Sequence, residues 1–276
     1  MVDTKKVKNN NQTNKRPIGV FDSGVGGLSV LKELHKMLPN EDFVFLADQK
    51  YVPYGEKTKQ ELIKLVYKIT DYFIKNHDIK MMVVACNTAT CNAIAELRSK
   101  YLFPIVGTVP AVKLASKKTR SGTVAVICTP STSKSVVLKT LIREYCADVE
   151  VLNIGCKNLE NAVETGELEG LEVNKLLKKY LKGVVNSNTD HLVLGCTHYP
   201  FLKETIQKIV GPNVKLLDGG KAIARRSKSL IKSNFLVNKQ RKVGETLYFT
   251  TSDHSKFSKV ATLLMKTIIK AKKIKL

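Results

Sequence analysis

The chain has 276 residues, 43% of them apolar and 25% charged, the balance of a folded globular protein, which excludes disorder over most of the length. No apolar run reaches the roughly 18 residues of a membrane-spanning helix, and the N-terminus lacks the apolar core of a secretory signal, so a cytoplasmic protein with no membrane contact is expected. The net charge of +22 comes from 39 Lys and only 7 Arg spread along the chain, which describes a solvated Lys surface and not an Arg-led nucleic-acid reader, so nucleic acid is not an expected partner.

Residues 1–16 are polar, rich in Lys and Asn, and aperiodic; they read as a disordered leader. After Pro17 short apolar runs alternate with amphipathic segments. PIGVFD (17–22) reads as a buried strand, and Leu28, Leu31, Leu34 and Leu38 then recur at helical spacing. FVFLA (43–47) is a strand, Thr58 to Lys75 a helix with Leu62, Leu65, Val66, Ile69 and Phe73 on one face, MMVVA (81–85) a strand, and a helix runs on to about Tyr101. A second series begins near Thr108. Its strands are TVAVIC (123–128), VEVLNI (149–154), HLVLG (191–195) and VKLL (214–217), with helices over 133–146, 158–166 and 172–186. A helix over 221–233, the strand LYFT (247–250) and a helix over 255–271 follow, with Lys270 to Lys275 read as a solvated tail. Strands alternating with helices predict an α/β fold with parallel sheets covered on both faces, whose ligands sit beyond the carboxyl ends of the strands.

Two of those strand ends carry one device. MMVVA is followed by Cys86-Asn87-Thr88 and HLVLG by Cys196-Thr197-His198, 110 residues apart, which suggests two similar halves. Each Cys opens a helix, where unpaired N–H groups favour a thiolate. No CxxC pair and no zinc spacing occurs among the six cysteines, so no metal is expected, and Cys91, Cys128, Cys146 and Cys156 read as structural free thiols. Asp22-Ser23-Gly24-Val25-Gly26-Gly27 also joins a strand to a helix; its spacing matches no nucleotide fingerprint, and its Asp suits binding a cation or orienting a base. Asp48 with Pro53-Tyr54-Gly55, and Thr129-Pro130-Ser131-Thr132, offer hydroxyls and backbone donors at two further strand ends, the second suited to gripping a carboxylate. His198 can stabilise a thiolate or shuttle its proton. Two thiols on opposite sides of a cleft suit racemisation by two bases: one removes a proton from carbon and the other delivers one to the opposite face.

DSGVGGLSVL (22–31), DQKYVPYG (48–55), ACNTAT (85–90), GTVPAVK (107–113) and GCTHYP (195–200) resemble the glutamate racemases, members of the cofactor-independent aspartate/glutamate racemase family, and matching segments continue to DGGKAIARR (218–226). The resemblance implies two similar α/β domains related by a pseudo-twofold axis, 17–108 plus 219–276 and 109–218, with the active site at their interface. It implies interconversion of L- and D-glutamate without pyridoxal phosphate, metal or any other cofactor, supplying D-glutamate for peptidoglycan. On this reading Cys86 acts on D-glutamate and Cys196 on L-glutamate. Asp22, Ser23, Tyr54, Gly55, Asn87, Thr88, Thr197 and His198 match substrate-binding positions, Asp22 and His198 also assisting the thiols. Glu164 matches a further carboxylate near the second thiol, but the stretch 157–161 is unusually polar for its place, so Glu160 is an equal candidate. The resemblance leaves open a homodimer and activation by a UDP-linked cell-wall precursor. The rival readings are an aspartate racemase, a topoisomerase-regulating protein and, more distantly, a Cys hydrolase.

Overall fold

The computed structural model describes residues 14–276. The leader expected over 1–16 lies outside the described residues as far as position 13, and Asn14 near its end is tied down. The Asn14 carbonyl accepts from Lys80 Nζ at 2.8 Å, and the Asn14 N–H donates to the Val237 carbonyl at 3.3 Å.

From the first described strand the chain forms β1 (Ile18–Asp22), α1 (Leu28–Met37), β2 (Phe43–Ala47), α2 (Lys59–His77), β3 (Met81–Val84), α3 (Asn87–Lys100), β4 (Ile105–Gly107) and α4 (Val112–Lys118). Next come β5 (Thr123–Cys128), α5 (Pro130–Lys134), α6 (Val136–Tyr145), β6 (Glu150–Gly155), α7 (Leu159–Thr165), α8 (Leu171–Val185), β7 (His191–Leu194), α9 (Lys203–Val210) and β8 (Lys215–Leu217). The last four elements are α10 (Gly220–Ser233), β9 (Thr246–Thr250), α11 (His254–Met265) and β10 (Ala271–Lys273).

These strands make two sheets, ordered β10-β9-β2-β1-β3-β4 and β6-β5-β7-β8, and every pairing is parallel. Strands β1, β2 and β3 are buried along their whole length, as central parallel strands with helices on both faces must be. The apolar stripe read on α2 is the one buried, and burying each such side chain is worth about 1.5–3 kcal/mol. A capping box starts that helix, with Thr58 Oγ1 accepting from the Glu61 N–H and Glu61 accepting from the Thr58 N–H. Helix α10 packs on α1, so the segment after β8 returns to the first sheet. Among the described residues no helix is long and apolar enough to cross a membrane.

Four details differ from the sequence reading. The helix expected over 133–146 is two helices, because Ser135 takes an extended conformation and its Oγ caps α6 by accepting from the Leu138 N–H at 3.1 Å. The helix expected to reach 271 stops at Met265, where Lys266 adopts a left-handed conformation (φ 55°). The Lys-rich segment after it is no free tail: Ala271–Lys273 adds β10 to the edge of the first sheet beside β9. The short elements β4, α4 and α9 had no counterpart in the sequence reading.

Candidate active site

The carboxyl ends of β1, β3, β5 and β7 converge on one pocket, where open parallel sheets bind ligands. Cys86 follows β3 and Cys196 follows β7, one from each sheet, and both thiols line the pocket while only 5% and 6% exposed. Ser23, Asn87 and Thr88 from the first sheet and Thr197 and His198 from the second also line it, with Tyr54 and Gly55 from the turn before α2. The lining includes Val52, Pro53, Thr129 and Glu160 as well. Thr88 Oγ1 and Thr129 Oγ1 lie 2.8 Å apart, joining loops of the two sheets, and Asn87 Oδ1 is buried without a partner, free to meet a ligand. Tyr54 is held by its hydroxyl donating to Asp48 Oδ2 at 2.6 Å, while Thr251 donates to Asp48 Oδ1 at 2.8 Å.

Asp22 departs from the expectation that it faces the ligand. It is fully buried and lies outside the pocket lining. Its Oδ1 accepts from the Gly24 N–H at 3.0 Å and from Ser23 Oγ at 3.5 Å, and its Oδ2 accepts from Thr197 Oγ1 at 3.1 Å. It therefore ties the loop after β1 to the loop after β7. Burial raises its carboxyl to about 6, against the His198 charge and the Gly24 N–H.

Cys86 caps α3, its Sγ accepting from the Ala89 N–H at 3.4 Å and donating to Ser23 Oγ at 3.7 Å. The helix start nevertheless does not make it acidic, as position alone suggested. Burial, and after it the Asp22 carboxylate, push the Cys86 thiol well above its ordinary range, against the Ala89 N–H and Ser23.

The second thiol sits in different company. Cys196 Sγ lies 3.5 Å from His198 Nδ1, and His198 Nε2 lies 2.7 Å from Glu164 Oε1. Burial alone would lower the His198 pKa, but the bonds to Cys196 and Glu164 and their charges carry it well above the usual histidine value. Burial opposes ionisation of Glu164 too, yet its bonds from His198, from Gln49 Nε2 at 2.6 Å and from the Val25 N–H at 2.8 Å lower its pKa. This explains the glycine-rich loop. It receives an anion, but the anion is the protein's own Glu164, and a Cβ at Gly24 would overlap that carboxylate while one at Gly26 would lie 2.5 Å from His198 Nδ1. Glu160, the other candidate carboxylate, reaches the pocket itself. Cys91, Cys128, Cys146 and Cys156 are free and do not line it. Among the described residues no group of three or more His, Cys, Asp or Glu side chains is placed to hold a metal.

The sequence signature of the Asp/Glu/Hydantoin racemases matches residues 18–226. A glutamate racemase of Herpetosiphon aurantiacus is 39% identical over 249 residues, covering 90% of this chain and 98% of that protein. The crystal structure of a Francisella tularensis glutamate racemase in complex with D-glutamate superposes with a TM-score of 0.83 at 31% identity, covering 95% of this chain and 98% of that one. The Escherichia coli glutamate racemase, solved with L-glutamate and the activator UDP-MurNAc-Ala, gives 0.80 at 31% identity, covering 91% and 94%. A signature that spans both cysteine loops, with relatives matched nearly end to end, means that the chain belongs to the Asp/Glu/Hydantoin racemase family.

Proposed function

We propose that this protein interconverts L- and D-glutamate without a cofactor, using Cys86 and Cys196 as its two bases. The observation that carries the reading is the pair of buried thiols, one from each sheet, lining a single pocket. The relatives named as glutamate racemases support glutamate as the substrate.

The α-proton of an amino acid is weakly acidic, so the developing carbanion needs fixed donors in a dry cleft. Asn87 and Thr88 supply side-chain donors for the α-carboxylate, and Tyr54 and Gly55 close the pocket from the turn before α2. In the direction from D-glutamate, Cys86 as thiolate takes the α-proton and Cys196 as thiol donates one to the opposite face; the reverse direction exchanges the roles. Each thiol has its own proton partner. The Ser23 hydroxyl lies between Cys86 and the Asp22 carboxylate, and His198 lies between Cys196 and Glu164. Ionised Asp22 is therefore placed to draw a proton from Cys86 through Ser23, and the His198 cation to hold Cys196 as thiolate.

The same reading divides the chain into a domain of 17–108 plus 219–276 and a domain of 109–218, which the membership of the two sheets supports. It places the enzyme in the cytoplasm, supplying D-glutamate for peptidoglycan. It also carries two partner expectations: a homodimer, and activation by a UDP-linked cell-wall precursor, for which the Escherichia coli relative is the precedent. Sedimentation, and turnover with and without UDP-MurNAc-Ala, test these.

The decisive experiment is circular dichroism of D- and of L-glutamate incubated with exhaustively dialysed protein. Both signals should decay to zero. Activity restored only by pyridoxal phosphate would overturn the two-thiol reading, and racemisation of aspartate in preference to glutamate would favour the aspartate racemase alternative.

A further inference from the structure

A pocket that takes glutamate must receive two carboxylates, yet among the described residues none of the chain's many Lys and Arg side chains lines it. The cationic side chain in the lining is His198, and both of its ring nitrogens are engaged, by Cys196 and by Glu164. Neutral donors must therefore meet the substrate's second carboxylate. The lining meanwhile includes an acid that the two-thiol chemistry does not use. Glu160, in the first turn of α7, is 6% exposed, and its Oε2 is buried with no hydrogen-bond partner.

An ionised Glu160 would be an unpaired buried charge facing a substrate of the same sign. Its surroundings favour the neutral acid. Burial is the largest influence, and Glu56 from the turn before α2 and Glu164 one turn further along α7 add to it. The His198 charge and the backbone N–H of Glu160 itself pull the other way. Lys157 is paired with Glu56 at 3.1 Å. Cys156, just before α7, and Tyr199, just after His198, are the remaining titratable groups beside Glu160, and neither can become a cation. A carboxyl kept neutral in this way is a hydrogen-bond donor, and its bond to an oxyanion is a strong one.

We propose that Glu160 stands in the pocket as the neutral acid and donates its O–H to the distal carboxylate of the substrate, which makes it a specificity residue for dicarboxylates. The assignment rests on the glutamate reading above. It accounts for a buried acid with an unpartnered oxygen in a site built for a dianion.

The test is kcat and KM for both glutamate enantiomers, from about pH 6 to about pH 9, in wild type, E160Q and E160L. E160Q keeps a donor and cannot ionise. It should hold KM within about twofold near neutral pH and lose the rise in KM that wild type shows as Glu160 ionises. E160L keeps the volume and removes the donor, so KM should rise about tenfold or more while kcat falls much less. A wild-type KM in E160L would overturn the assignment, as would an E160Q variant whose KM drops severalfold at every pH, since that would mean an ionised, repelling Glu160. A wild-type protein that does not racemise glutamate would overturn the parent reading and this one together, whereas an active wild type with an unshifted E160L overturns this one alone.

Discussion

Asp22 shows how one side chain can cost stability and serve chemistry. Its folded carboxyl titrates near 6, whereas in the unfolded chain it returns to about 3.8. Between those values the folded state holds the proton more tightly, so stability falls as pH rises through that window, and at pH 7 the buried charge costs on the order of 3 kcal/mol. Asp22→Asn removes that cost and keeps the shape. The variant should melt no lower than wild type near pH 8, and the two melting temperatures should converge toward pH 4, by calorimetry at each pH. Its kcat should fall about 10²–10⁴-fold, the usual worth of a proton-transfer partner, and wild-type kcat should fall below about pH 6 as Asp22 protonates. A destabilised variant with normal turnover would make Asp22 a structural tie between loops and nothing more. Most of the pocket was legible from single residues, because a Cys or Thr placed after an apolar run must emerge at a carboxyl edge. Asp22 was not, since β1 is covered on both faces and its last residue stays buried. Glu160 and Glu164 could not be ranked either: they lie four positions apart on one helix, and only the packing decides which meets His198 and which meets the pocket.

At the scale of elements, the central strands and long helices were legible because their apolar periods are long enough to count. The elements β4 and β10 have three residues each, too few for any period, and β10 is rich in Lys because it lies at a sheet edge. The role of Asn14 was also hidden, since nothing in a polar segment announces that its backbone will be used. Lys80 is buried in an ion pair with Glu41, and the Asn14 carbonyl accepts from its ammonium group. A chain beginning at Pro17 loses that acceptor and should be less stable than one beginning at Asn14 by about 1 kcal/mol. For a protein of this size that is a drop in Tm of about 2–4 °C, measurable by scanning calorimetry. Turnover of the two should agree within about twofold, because the contact lies at the opposite end of β3 from Cys86. Equal melting temperatures would show that water replaces the Asn14 carbonyl without loss.

On the scale of the whole molecule, the two sheets meet at their carboxyl ends and each brings one thiol. Ties cross between them: Thr197 to Asp22, Glu164 to the Val25 N–H and to Gln49, and Thr88 to Thr129. Opening such a cleft breaks several bonds together, so substrate entry and product release are coupled to them. The two halves are alike in backbone and unlike in charge, a carboxylate behind Cys86 and an imidazole behind Cys196. The sharpest test of the arrangement uses that division. Cys86→Ser and Cys196→Ser should each nearly abolish racemisation, because a hydroxyl is a far weaker acid than a thiol and its alkoxide is scarce at pH 7. Yet each variant keeps one base on one face of the α-carbon. With a glutamate analogue carrying a leaving group at C3, removal of the α-proton expels that group, and no second base is needed. Cys196→Ser should therefore still eliminate from the D-analogue, through Cys86, and Cys86→Ser from the L-analogue, through Cys196, each followed by release of the leaving group. Two variants that favour the same enantiomer, or one that keeps full racemase activity, would replace two fixed bases with a single group working on both faces.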